Sequence, residues 1–114
     1  MRTYKAVFSD IDGTLLTSEH IVSTATIEAI VSLQKKNIPF VIISSRSASC
    51  IDPILKKHHF QCPIVACGGA WIEDMNGRIL SNEGMSRQTA TTVIEFMTEK
   101  NFDLAWGIYS GKNW

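Results

Sequence analysis

Ala6-Val7-Phe8-Ser9-Asp10-Ile11-Asp12-Gly13-Thr14 decides how this chain reads. An apolar run, expected to form a buried strand, ends in two carboxylates one residue apart, and a glycine and a threonine follow at once. Like charges a few Å apart raise each other's pKa unless a cation or hydrogen-bond donors compensate. The glycine allows a tight turn whose backbone N–H groups can approach an anion. Carboxylates suited to a metal and bare amides suited to a phosphate, on one short loop, point to phosphoryl chemistry. The bland alternative is a turn in which Asp10 and Asp12 merely cap the backbone. The strand before it and Gly13-Thr14-Leu15-Leu16 after it make that the minority reading.

Working outward, the next strand candidate is Phe40-Val41-Ile42-Ile43, continuous enough for burial on both faces, and the third is Pro63 to Cys67. Ser23 to Lys36 separates the first pair as a helix, with Ile27, Ile30, Val31 and Leu33 on one side. Ser23 or Thr24 caps its start, and Asn37 supplies a left-handed stop. Ser47 to His59 carries Ile51, Ile54 and Leu55 at helical spacing, with Pro53 in its first turn or at a kink. Strand, helix, strand, helix, strand predicts two right-handed crossovers and a parallel α/β sheet. Beyond it, Met75-Asn76-Gly77 between Ala70–Asp74 and Arg78–Ser81 signals a hairpin. A helix over about Ser86 to Lys100 follows, then a strand candidate from Phe102 to Tyr109, and Trp71 and Trp106 are expected to pack in a core. The predicted organisation is a core over residues 1–82 and a new α/β unit over 83–114.

Composition narrows the function classes. At 114 residues, with 45% hydrophobic and 19% charged residues, the chain has ordinary globular composition and can bury a core. Eleven basic and eleven acidic side chains cancel, leaving no basic face for nucleic acid and no polybasic tract for a membrane. No apolar run reaches the ~18 residues of a membrane helix, and no signal peptide precedes the first strand, so a soluble cytoplasmic protein is expected. Cys50, Cys62 and Cys67 read as free thiols of a reducing compartment. With His58 and His59 they match no common zinc spacing.

Ligands of open α/β sheets bind beyond the carboxyl ends of the strands. Here those ends are Asp10 and Asp12, then Ser44-Ser45-Arg46, then Cys67-Gly68-Gly69-Ala70. Ser44 can donate its hydroxyl to a phosphate oxygen. Arg46 is either an anion clamp or a surface charge. Gly68-Gly69 read as a sharp turn, since no G-x-G-x-x-G surrounds them.

These residues carry a family resemblance. Val7 to Leu16 resembles the first motif of the haloacid dehalogenase-like phosphatases, and Ile43-Ser44-Ser45-Arg46 resembles their second. Gly68-Gly69-Ala70 stands where the Cof-like sugar-phosphatase branch has Asn-Gly-Ala, so a substrate contact from that asparagine is missing. The hairpin also fits that branch, whose α/β cap is inserted after the third core strand. The resemblance implies a Rossmann-like parallel sheet core, incomplete here, with a hairpin and the start of the cap.

The activity it implies is Mg²⁺-dependent hydrolysis of small phosphorylated metabolites, sugar phosphates first. Asp10 would be the nucleophile and Asp12 the general acid and base. Ser44, Gly13 and Arg46 would bind the phosphate. Mg²⁺ would lie on the Asp10 carboxylate and the Asp12 backbone carbonyl. The family also places a phosphate-binding lysine and a Gly-Asp-x-x-x-Asp motif C-terminal to the cap. Nothing after Ser81 resembles either, so the expectation is the N-terminal portion of such an enzyme, shortened, with little turnover alone. A second copy would lack the same groups. The alternative is a non-catalytic binding or self-assembly module that associates through exposed sheet edge. A receiver-like phosphoacceptor is disfavoured, because its paired acids do not come as Asp-x-Asp-Gly-Thr on the first strand.

Overall fold

The computed structural model describes residues 3–101, 103 and 105–113. A five-stranded sheet runs in spatial order β1 (Val7–Ser9), β2 (Phe40–Ile43), β3 (Ile64–Ala66), β4 (Trp71–Glu73), β5 (Ile79–Asn82). The first three strands are parallel, with Ser9 opposite Ile42 and Ile43 opposite Val65. The last two add antiparallel, so the sheet is mixed. Helices α1 (Thr24–Lys35) and α2 (Ala48–Lys57) occupy the two parallel connections, as the alternating pattern predicts.

Local chemistry sets the boundaries. Ser23 caps α1 by accepting the Thr26 N–H at 3.2 Å, and Asn37 takes the left-handed conformation that ends it (φ 55°). Ser86 caps α3 (Arg87–Glu99) in the same way through the Thr89 N–H. In the hairpin turn Asp74 accepts the N–H groups of Asn76 and Arg78, while Gly77 supplies a φ of 78°. Pro53 stands in the interior of α2 rather than in its first turn.

The pleat sorts the core. Phe40, Ile42, Ile64, Ala66 and Trp71 share one cluster with Ile30 of α1 and Ile51 of α2, and Val7, Ile27, Leu33, Ile54 and Leu55 pack against it. Cys62 joins that core, while Cys50 and Cys67 are half-buried free thiols. Glu73 also points inward. It is 2% exposed and accepts the Trp71 indole N–H at 2.7 Å.

Four expectations need correction. The first strand is an edge strand rather than a buried one among the described residues, and Phe8 is 61% exposed. It faces away from the helices, where nothing in the described chain completes its packing. Among the described residues of the expected Phe102–Tyr109 strand none joins a ladder, and Ser110 and Asn113 just beyond it form an isolated bridge. Phe102, Leu104 and Trp114 lie outside the described residues. Trp106, expected to pack in a core, is exposed, whereas Trp71 is buried as expected. Cys67, expected to finish the third strand, turns out of it instead.

Candidate active site

Parallel pairing brings the carboxyl ends of β1, β2 and β3 to one side of the sheet, and each end opens into a loop. The first loop is held at both ends by apolar anchors. Ile11 and Leu15 are buried in the core, while Asp12, Gly13 and Thr14 between them are exposed. Leu16 N–H closes a wide turn onto Ile11 O at 3.0 Å. Asp12 is extended inside that turn, and Gly13 reverses the chain with φ 74°. A Cβ on Gly13 would meet nothing within 4 Å, so the position needs glycine for its dihedral angle and not for space.

Asp10 stands one residue beyond β1, exposed, with Oδ1 accepting the Ile11 N–H at 2.7 Å. The capping contact expected of the bland reading is therefore present. It engages one carboxylate oxygen with one donor, and an ionised carboxylate has capacity to spare. Asp12 has a different environment. Arg46 Nε lies 2.8 Å from Oδ2 and Arg46 Nη2 lies 2.6 Å from Oδ1, a bidentate pair linking the first loop to the second. Those hydrogen bonds hold the Asp12 carboxyl below its ordinary 3.8 and raise the guanidinium above its ordinary value.

Ser44, one residue past β2, is 4% exposed. Its N–H donates to Val65 O at 2.9 Å, and its Oγ accepts the Arg46 N–H at 3.1 Å. The hydroxyl proton is left free to donate to a further acceptor. The third loop packs against the second through the backbone: Cys67 N–H donates to Arg46 O at 2.8 Å and Gly68 N–H to Ser44 O at 3.0 Å. Cys67, Gly68 and Gly69 all have positive φ, the sharp turn expected of them.

The loops thus bring Asp12 and Arg46 into contact and place Asp10 and Ser44 at adjacent strand ends. Arg46 is turned to Asp12, an engagement that the sequence reading, which weighed a phosphate clamp against a surface charge, did not include. A signal existed: an arginine two residues past a strand end, beside a strand ending in two carboxylates, is within reach of one of them. Among the described residues no group of three His, Cys, Asp or Glu side chains is gathered in a way that holds a metal ion. Nor is any described helix long and apolar enough to cross a membrane.

Comparison with known proteins places this arrangement. Residues 7–114 match the family model of the haloacid dehalogenase-like hydrolases. A putative phosphatase of Haemophilus influenzae is 48% identical over 73 residues, covering 64% of this chain and 28% of that protein. Phosphatase YwpJ of Bacillus subtilis is 26% identical over 98 residues, covering 86% of this chain and 34% of its own length. A solved haloacid dehalogenase-like hydrolase from B. subtilis superposes with a TM-score of 0.79 at 27% identity, over 85% of this chain and 34% of that one. The chain spans about a third of the length of the curated relatives it matches.

Proposed function

Because the chain belongs to the haloacid dehalogenase-like hydrolase family, we propose that it carries the nucleophile and the acid/base of a phosphatase acting on small phosphorylated metabolites. Sugar phosphates are the first substrate class to test. The observation that carries the reading is the pair Asp10 and Asp12 on one glycine turn beyond β1, beside Ser44 at the end of the neighbouring parallel strand. The relatives' names support the substrate class: one, from Escherichia coli, is a pyridoxal phosphate phosphatase.

In this reading an Asp10 carboxylate oxygen attacks phosphorus in line as the ester P–O bond breaks, giving an aspartyl-phosphate. Asp12 gives its proton to the departing alkoxide, then takes one from the water that cleaves the intermediate and returns Asp10 and inorganic phosphate. Ser44 donates its hydroxyl to a non-transferring oxygen. The Arg46 pair keeps Asp12 ionised, the form needed in the second step. The first step needs it protonated, so the guanidinium must leave, and an arriving phosphate dianion is an anion able to draw it away.

The Asp10 carboxylate and the Asp12 backbone carbonyl form an all-oxygen pair that suits Mg²⁺, which keeps several waters. Bound there, the ion would neutralise charge between nucleophile and substrate. Residues 82–114 contain neither Gly-Asp-x-x-x-Asp nor a lysine in such a motif. Losing one oxyanion donor costs about 3–4 kcal/mol elsewhere, so little turnover is expected of the 114 residues by themselves. The test assays p-nitrophenyl phosphate with Mg²⁺ on this chain and on a full-length relative. Robust turnover by this chain, abolished by Asp10→Asn, would show that the further groups are dispensable. Equal turnover by the Asp10→Asn variant would remove Asp10 as nucleophile.

A further inference from the structure

The stretch that follows the Asp10–Leu15 turn is a small flap with both feet in the core. Leu16 and Val22 are buried, and the residues between them are exposed. Thr17 N–H donates to Ile21 O and His20 N–H donates to Thr17 O, both at 2.9 Å, so the tip is closed by its own backbone. The far foot is fastened differently. Val22 is 3% exposed, and its N–H donates to Nε2 of His58 at 3.3 Å, across 36 residues of sequence. His58 is the residue that ends α2. Among the described residues this imidazole nitrogen is the acceptor of the Val22 amide.

An imidazole nitrogen accepts only while it is unprotonated, with the ring proton on Nδ1; in imidazolium both nitrogens are donors. A proton on Nε2 would face the Val22 N–H donor to donor and leave a buried amide without a partner. We propose that His58 is a proton-operated pin: neutral, it fastens the Leu16–Val22 flap to the end of α2, and protonated, it lets the flap go. The released foot lies in the segment that continues directly from Leu15 and Leu16, which anchor the turn bearing Asp12 and Gly13. Acid would therefore loosen the backbone beside the candidate site. The pin is a property of the flap and holds whether or not Asp10 is a nucleophile.

The charges around the pin agree with this direction. On α2's own end, burial acts first, and the neighbouring Lys57 and His59 add to it, to lower His58 below its ordinary 6.5. The flap's own titratable groups are Glu19 and His20, both exposed. The first turn of α1, Thr24 to Ile27, holds no charged residue. At neutral pH the pin is closed, and its opening falls on the acid side.

Amide exchange on the isotopically labelled chain tests this directly, with His58 titration followed on its ring proton in the same samples. In the native sequence the protection of the Val22 amide, corrected for intrinsic rate, should fall about tenfold as His58 protonates, while Ile30 and Ile42 amides hold theirs. His58→Gln can accept through Oε1 but does not titrate, so its Val22 protection should not vary across the same pH range. His58→Leu should lose that protection at every pH. Should His58→Leu fail to fold, the native chain and the glutamine variant still decide. Val22 protection that stays constant while His58 titrates, or that falls equally in His58→Gln, overturns the proposal.

Discussion

Replacing Lys112 by methionine tests how the buried carboxylate of β4 is kept. Glu73 is 2% exposed, and Lys112 Nζ lies 2.9 Å from its Oε1 and 3.0 Å from Asp52 Oδ2 on α2. Removing one partner of a buried ion pair costs about 3–5 kcal/mol, since the other charge stays buried. Two features of this site reduce that. The Trp71 indole N–H still donates to Glu73, a bond to a charged group worth about 1.5–3 kcal/mol. Lys112 is itself 42% exposed, so its departure opens a path for water. The lost pair with half-exposed Asp52 adds at most about 1 kcal/mol. Lys112→Met should therefore cost about 2–3 kcal/mol, a large share of the ~5–15 kcal/mol typical of a domain.

Urea unfolding followed by far-ultraviolet circular dichroism measures it, and adding Glu73→Gln to Lys112→Met should restore about 1–2 kcal/mol by removing the stranded charge. A cost under about 0.5 kcal/mol, or a double variant no more stable than the single one, would refute the reasoning. The pH dependence offers a second check. Burial opposes the Lys112 charge, but hydrogen bonds to Glu73 and Asp52 outweigh it and hold the ammonium above 10.5. A raised folded value means this stabilisation is complete below pH 10.5 and fades as pH rises through the folded value, a loss that Lys112→Met should not show.

Arg46→Gln should abolish the acid-side contribution of Asp12. With its folded value below 3.8, Asp12 stabilises the native state above that pH, and the effect disappears as pH falls through the folded value; acid titrations of the two proteins compare it. Burial pushes the Cys62 thiol up to about 12. Iodoacetamide at pH 8 should thus modify Cys50 and Cys67 well before Cys62, as peptide mass mapping would show. Ile42→Ala, at a fully buried position on the central parallel strand, should cost about 2–5 kcal/mol in the same urea assay.

Much of this was legible in the residues. The helices came from caps and apolar spacing, and Ser23 and Asn37 stand where the pattern put them because capping is a local bond between near neighbours. The hairpin followed from Asn76-Gly77 for the same reason. Local pattern failed for Phe8, whose alternation reads identically on an edge strand and on a covered one. It failed again at Trp106, which is apolar enough for a core that the described segment around it does not build.

By itself, Ala6 to Thr14 pointed to the family to which the chain belongs, because a strand that ends in Asp-x-Asp-Gly-Thr concentrates charge where few other uses justify it. It also determined the need for glycine at position 13, through the dihedral angle of the turn. Tertiary structure alone decided what those charges meet. Asp12 is held by Arg46 from 34 residues away, Glu73 by Lys112 from 39, and the flap behind the motif by His58 from 36. Each contact joins strand ends, helix ends or a turn that only the packed sheet brings together. A linear pattern records neighbours within a turn or a strand, whereas electrostatic energy depends on distances in space.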